Sequence, residues 1–228
     1  MLAGVASTGP VQYVRLPRRV SFAFAADSGF ERTTGSTLIV LGSGDVPDAD
    51  ALRQLADYPT GRTSSFIAQP VTVSQSGIVV TAGAAVGQRQ QRLPGGLLAG
   101  QRLGDVGRAP MALSAPDGRT FVVRADDFAR LRGLDVLLHN ELELADLGLR
   151  LRTLDPDTDL DLLPAARVRQ VVRIPKGPQS AGSRREFMQR HGTLTPTPDE
   201  AWSRLGVRAT GWKATEWPYA VRAILEPR

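Results

Sequence analysis

Apolar residues occur in short runs along this chain, and this pattern limits the possible fold more than any other feature. A typical run is Thr37–Leu41, which is followed at once by Gly42-Ser43-Gly44. A membrane-spanning helix needs about 20 consecutive apolar residues, and no run in the sequence approaches that length. Short apolar runs punctuated by glycine and proline are typical of strands and turns. The pattern predicts a strand-rich globular chain without a membrane span.

The local patterns predict many strands and a few helices. Helices are predicted at Asp48–Tyr58, with Asp48 as N-cap, and at Asp126–Leu131. Two further helices are predicted from the capping boxes Ser183–Glu186, with Gly192 as the stop, and Thr197–Glu200. The predicted strands are Val11–Leu16, Val20–Phe24, Ser36–Leu41, Thr63–Gln69, Val71–Ser74, Gly77–Thr81, Thr120–Arg124, Leu134–Leu138, Leu147–Thr153, Arg167–Ile174 and Pro218–Leu225.

These elements together predict an α+β, strand-rich fold class. We expect an antiparallel sheet or barrel-like core with three or four short helices and a long Gly/Gln/Arg loop or arm. The predicted division is a core domain at 1–166 and a basic α/β subdomain at 167–228, packed on the first.

The segment at about 83–110 is the predicted arm. It contains seven glycines and few bulky apolar residues before Leu97-Leu98. Loops of this length in compact domains are usually functional or disordered. Its polar cluster is the predicted site of contact with neighbouring subunits, and it consists of Gln88, Arg89, Gln90, Gln91 and Arg92.

Charge is segregated along the chain. The formal net charge is +5, with basic regions at 59–124 and 167–228 and an acidic region at 125–166. One interpretation is that the blocks neutralise each other within the fold or between subunits. The other is that basic and aromatic side chains bind nucleic acid. The candidate nucleic-acid-binding residues are Arg167, Arg169, Arg173, Arg184, Arg185, Trp212 and Lys213.

The chain lacks most of the residues that common catalytic and metal sites need. There is no cysteine, and the two histidines, His139 and His191, are far apart in the sequence. The Gly42–Gly44 turn follows a strand, as in dinucleotide sites, but Pro47 stands where a third glycine is expected. Four alternating aspartates at 155–161 lack the glycine and glutamate of a calcium loop. The sequence therefore predicts no catalytic residue, no metal site and no cofactor.

One short motif points to an enzyme. The segment Phe24–Gly29 contains Asp27-Ser28-Gly29 and resembles the Asp-Ser/Thr-Gly signature of aspartic proteases. Leu134–Leu138 is similar to the segment that closes a retropepsin-like domain, with His139 in place of the expected glycine. Because that chemistry needs two carboxylates sharing one proton, the resemblance implies a homodimer.

Three functions follow from these observations. The first is a non-enzymatic structural or assembly subunit, for example of a phage or phage-tail-like particle, acting through charged surfaces and the arm. Its partners would be other protein subunits in a homo-oligomer or hetero-assembly, and its location the cytoplasm or a particle assembled there. The alternatives are a nucleic-acid-binding protein that uses the two basic regions and a dimeric aspartic-protease-like enzyme around Asp27.

Overall fold

The computed structural model of this chain describes residues 12–16, 18, 20–86, 94–97, 100, 102, 109–139, 142–172, 181–192, 207–209 and 223–225. Within these ranges the helices are α1 (Phe22–Phe30), α2 (Ala49–Asp57), α3 (Ala125–Arg130), α4 (Leu142–Leu154) and α5 (Ala181–His191). The strands are β1 (Thr37–Val40), β2 (Asp45–Pro47), β3 (Phe66–Ser74), β4 (Val79–Thr81), β5 (Ala84–Val86), β6 (Pro94–Gly96), β7 (Met111–Ala112), β8 (Phe121–Arg124), β9 (Asp159–Gln170), β10 (Val207–Ala209) and β11 (Ala223–Leu225).

A mixed sheet is the centre of the fold. Its main path is β1-β8-β3-β9-β2, with β4 paired to β3 and β7 paired to β9. The long strands β3 and β9 are parallel, and every other strand pair within the described ranges is antiparallel. The expected combination of sheet and helices is therefore present, but the sheet is mixed rather than wholly antiparallel. Parallel strands need a long connection that returns the chain to the same end of the sheet. The segment between β3 and β9, which includes β8, α3 and α4, is long enough to do this.

The sheet curls like a half-barrel. Strands β1 and β2 lie at opposite ends of the main path, yet only residues 41–44 join them. Four strand spacings in a flat sheet cover about 19 Å. The link reaches at most about 17 Å even when extended, and it is shortened by a turn in which the Asp45 amide donates to the Gly42 carbonyl. The two ends of the sheet must therefore approach each other.

Helices cover both faces of this sheet. On one face, α2 is amphipathic and starts at the predicted cap, because the Asp48 side chain accepts from the Ala51 amide. Its core cluster consists of Ala51, Leu55, Tyr58, Phe66, Ala68, Val122, Leu163 and Ala166. On the other face, α1, α3 and α4 pack on residues of the opposite strand parity, such as Ile67 and Val123. Alternation along β3 and β8 thus buries both sides of the sheet.

Two segments predicted as strands are helices. In α4 nearly every position from Leu142 to Leu151 is buried, so the helix shows no apolar stripe of period 3.6. Its leucines at 147, 149 and 151 instead imitate strand alternation. In α1 the Ser21 hydroxyl caps the helix by accepting from the Phe24 amide. The alternating pattern at Val20–Phe24 predicts a strand, so the sequence did not indicate this cap.

The C-terminal predictions are partly within the described residues. Helix α5 begins at Ala181, so Ser183 lies inside it and donates to the Leu137 carbonyl instead of capping. Gly192 follows the helix, as predicted. The second capping box at Thr197–Glu200 lies outside the described residues, as does most of the predicted closing strand apart from β11.

The predicted arm is described only in part. Strands β5 and β6 pair within it, and the Leu97 amide donates to the Gly83 carbonyl. The Leu97 side chain is buried in the main core. The contact cluster Gln88–Arg92 lies outside the described residues.

Candidate functional site

One edge of the sheet gathers the ends of five strands. Because β1, β3 and β9 run in the same direction, their carboxyl ends meet at this edge. The antiparallel strands β8 and β2 begin there. In α/β sheets, ligands bind beside the carboxyl ends of the strands. The segment Gly42–Asp45, which links β1 to β2 and ends on the first residue of β2, lies at this edge and is called the edge turn below.

The edge turn has no room for side chains at its glycines. A Cβ on Gly42 would lie 2.6 Å from Asp45 Oδ2 and 2.8 Å from Arg119 Cβ. Gly44 has φ +81°, and a Cβ there would lie 2.8 Å from the Val172 side chain. The turn therefore needs both glycines, one for close approach and one for backbone conformation. It leads into β2 rather than directly into a helix, unlike the turn of a dinucleotide site.

A hydrogen-bonded chain joins the edge turn to the start of β8. The Thr120 hydroxyl donates to Asp45 Oδ2 at 2.7 Å and accepts from the Gly42 amide at 3.3 Å. Thr120 is buried, whereas Asp45 is half-buried. The threonine thus fixes the orientation of the Asp45 carboxylate, whose other oxygen, Oδ1, is buried.

Arg119 packs with its Cβ against Gly42 and brings a positive charge to this region. Its side chain is half-buried, and its guanidinium carbon lies 5.7 Å from the centre of the Phe22 ring. Within the described residues, the Arg119 guanidinium makes no ion pair or hydrogen bond. An arginine without a carboxylate partner, next to a glycine turn with exposed Ser43, is suited to bind a phosphate or another planar anion.

A second polar cluster lies between α4 and α5. The fully buried Asp146 carboxylate accepts from Arg150 Nε at 2.6 Å, Arg190 at 2.8 Å and His191 Nε2 at 2.8 Å. Burial alone would raise the pKa of Asp146, but the His191 hydrogen bond and the two arginines outweigh it and hold that pKa below its usual range. All the oxygens of Asp146 face protein donors, so this cluster is a structural joint.

The aspartate of the protease-like motif belongs to the same region. Asp27 is in α1, and its carboxylate accepts from the Leu134 amide at 3.0 Å. Burial raises its pKa, partly offset by that hydrogen bond. Leu134–Leu138 forms turns rather than a strand, and Asp135 there binds Arg190. The carboxylate of Asp27 therefore fixes a loop against α1.

The acidic stretch at 155–161 is also tied into the structure. Asp159 accepts from Arg62 and Ser64, and the Tyr58 hydroxyl donates to Asp161 at 2.5 Å. These bonds fasten the end of α2 to β9. Among the described residues, no group of three or more His, Cys, Asp or Glu side chains could hold a metal ion.

The predicted nucleic-acid-binding residues fall on two elements. Arg167 and Arg169 are exposed near the end of β9, whereas Arg184 and Arg185 are on α5, which packs on α4. Arg173, Trp212 and Lys213 lie outside the described residues. A role for these side chains in binding nucleic acid stays a prediction.

Comparison with known proteins identifies the fold. No protein-family model matches the sequence, and no curated protein matches it. Among solved structures, the chain is similar to the crystal structure of GalNAc-T7 with UDP, GalNAc and Mn²⁺. The TM-score is 0.60 at 16% sequence identity, and the match covers 84% of this chain and 39% of the other. The chain thus spans well under half of that glycosyltransferase and shares its fold over that part.

This likeness corrects the functional prediction. The prediction of a non-enzymatic structural or assembly subunit, such as a phage component, is wrong, because the chain has the fold of an enzyme. The aspartic-protease alternative has no support in the structure, since Asp27 lies in α1 and its carboxylate holds the Leu134 amide. The likeness does not test nucleic-acid binding, which stays a prediction. No helix in the described part of the chain is both long enough and apolar enough to cross a membrane.

Sequence reasoning missed Thr120 and Arg119. Both follow Asp117-Gly118, which reads as an ordinary turn signal. Thr120 and Asp45 are 75 residues apart in the sequence, so only the curl of the sheet brings them together. The one feature of the sequence that could have indicated this site is an arginine and a hydroxyl residue directly before a buried strand.

Proposed function

We propose that this chain is a glycosyltransferase domain that binds a sugar nucleotide at the edge turn. The observation that carries the proposal is the Thr120–Asp45 hydrogen bond across the carboxyl edge of the sheet, in a fold similar to that of an enzyme solved with UDP and GalNAc. Asp45, held by the Thr120 hydroxyl, would fix the shape of the turn against which the donor lies. Arg119 and the backbone of the turn would face the diphosphate.

The proposed reaction balances without a further reactant. The oxygen of an acceptor hydroxyl forms a bond to the anomeric carbon of the donor sugar. The bond from that carbon to the diphosphate breaks, and its electron pair leaves with the diphosphate. A diphosphate oxygen takes up the acceptor's proton. The positive charge of Arg119 would stabilise the leaving group as its negative charge develops.

The manganese of the neighbouring structure does not fit the described residues. The edge turn offers one carboxylate, Asp45, between glycine and valine neighbours, and no described cluster of acidic and histidine side chains supplies the rest. The proposed reaction therefore involves no step through a metal.

Isothermal titration of the chain with UDP, GDP and TDP tests this proposal. We expect one of them to bind, and Thr120→Val to weaken that binding about tenfold, because the variant keeps the shape of the residue but removes the hydroxyl that holds Asp45 and the Gly42 amide in the turn. Thr33→Val is the matched control, since its hydroxyl bonds the Phe30 carbonyl in an exposed turn. The corresponding sugar nucleotide should slowly release the nucleoside diphosphate and free sugar as water takes the place of the acceptor. No binding of any nucleotide, or equal binding by both variants, would overturn the proposal.

Several expectations stay outside this proposal. The extended arm at about 83–110, the division at 166–167, the partner subunits and the cytoplasmic location remain predictions from the sequence.

A further inference from the structure

The edge turn and Arg119 indicate how the negative charge of a bound diphosphate would be neutralised, an inference that rests on the proposed function. We infer that this domain holds the donor diphosphate without a divalent cation, with Arg119 supplying the positive charge. The similar enzyme was solved with UDP and Mn²⁺, whereas this chain would hold the diphosphate with an arginine.

The donor set of the edge turn is the first observation. Its four residues are Gly42, Ser43, Gly44 and Asp45, so it contributes one carboxylate. One oxygen of that carboxylate, Oδ2, already accepts the Thr120 hydroxyl at 2.7 Å. Divalent cations such as Mg²⁺ take six oxygen ligands in an octahedron, with carboxylates among them. One carboxylate, with an oxygen already bonded to Thr120, supplies few of these ligands.

The crowding at Gly42 is the second observation. A Cβ on Gly42 would meet both Asp45 Oδ2 and Arg119 Cβ within 2.8 Å. A second carboxylate at position 42 is therefore excluded by space, and Arg119 occupies the volume beside it. The geometry thus places Arg119, a cationic residue, directly against the turn.

The state of Arg119 is the third observation. Arg119 is half-buried, it lies near the Phe22 ring, and among the described residues it binds no carboxylate. Arginines that only stabilise the fold here, such as Arg150, donate to carboxylates and carbonyls. The planar guanidinium can donate two parallel hydrogen bonds to phosphate oxygens, which makes it a substitute for a metal ion at a diphosphate.

The test is a titration of the full chain with the nucleoside diphosphate that binds it best, in EDTA and in MnCl₂. We expect wild-type affinity to be the same within about twofold in both buffers. Arg119→Gln should weaken binding about 10- to 100-fold in both, as expected for loss of charge-assisted hydrogen bonds. The affinity of Arg119→Lys should fall between those of the wild type and Arg119→Gln, because lysine keeps the charge but cannot donate two parallel hydrogen bonds.

Arg53→Gln is the matched control, since it removes the same charge from an exposed side chain on α2 that pairs with Asp50. Circular dichroism and a melting curve establish that each variant is folded. Binding that requires Mn²⁺, or that is unchanged in Arg119→Gln, would overturn this inference and leave the proposed function standing. Absence of binding in both buffers would overturn both.

Discussion

Gly44 shows how tightly the residues of the edge turn are constrained. Its φ of +81° is costly for any other residue, and a Cβ would enter the space of Val172. We predict that Gly44→Ala lowers the free energy of unfolding by about 3 kcal/mol, from backbone strain and overpacking together. Gly61→Ala isolates the first cause, since Gly61 has φ +74° but nothing within 4 Å. It should cost about 1 kcal/mol in the same urea titration, and equal losses would contradict this explanation.

Asp146 is the residue on which the joint between α4 and α5 depends. Asp146→Asn leaves Arg150, Arg190 and His191 without their shared carboxylate. Removing one partner from a buried ionic cluster costs about 3–5 kcal/mol. Urea unfolding at pH 7 measures this loss. The control Asp50→Asn, which breaks an exposed pair with Arg53, should change stability by less than about 1 kcal/mol.

The same carboxylate gives a pH dependence. Because the pKa of Asp146 is lowered in the folded state, its contribution is complete above the unfolded pKa of about 3.9. It is lost as the pH falls through the lower, folded pKa. The stability difference between wild type and Asp146→Asn should therefore shrink when unfolding is repeated below pH 4. A difference that stays constant or grows in acid would show that the cluster is not stabilised by the ionised carboxylate.

Residue-scale prediction from the sequence succeeded where the signal was local. Asp48 as a cap and the glycines that end β1 could be predicted, because each acts within a few residues. Arg119 could not, since its importance comes from lying beside Gly42, and that proximity depends on the whole sheet.

At the scale of elements, α4 is positioned by a glycine. A Cβ on Gly148 would lie 2.5 Å from Pro116 Cδ, so α4 packs directly on the segment that leads to Arg119 and Thr120. We predict that Gly148→Ala destabilises the fold by about 1–3 kcal/mol, although alanine is the better helix former. Gly29→Ala in α1, where nothing lies within 4 Å, should stabilise by about 0.5–1 kcal/mol. Thermal unfolding of both variants checks the signs, and a gain at Gly148 would contradict the contact.

Elements were predictable in proportion to how amphipathic they are. Helix α2 has one exposed and one buried face and was predicted at nearly its true bounds. Helix α4 is buried almost all round, so its leucines imitate a strand. A pattern of exposure cannot reveal an element that has no exposed side.

At the scale of the whole molecule, pairing of distant strands decides both fold and site. Many of the strands of the sheet could be predicted from alternation and turns, for example β1, β3 and β8. The parallel pairing of β3 with β9 and the curl that joins β1 to β2 could not, because they depend on contacts between residues far apart in the sequence. The candidate site exists only after that pairing, which explains why the sequence alone did not indicate it.

The binding of a nucleotide at the edge turn is the central claim, and amide hydrogen exchange tests it most directly. Exchange is measured on the full chain with and without a saturating nucleoside diphosphate. We predict slower exchange in peptides that cover residues 41–46 and 118–121, because ligand contact suppresses local opening there. Exchange unchanged in both segments, or protection confined to α4 and α5, would contradict the claim.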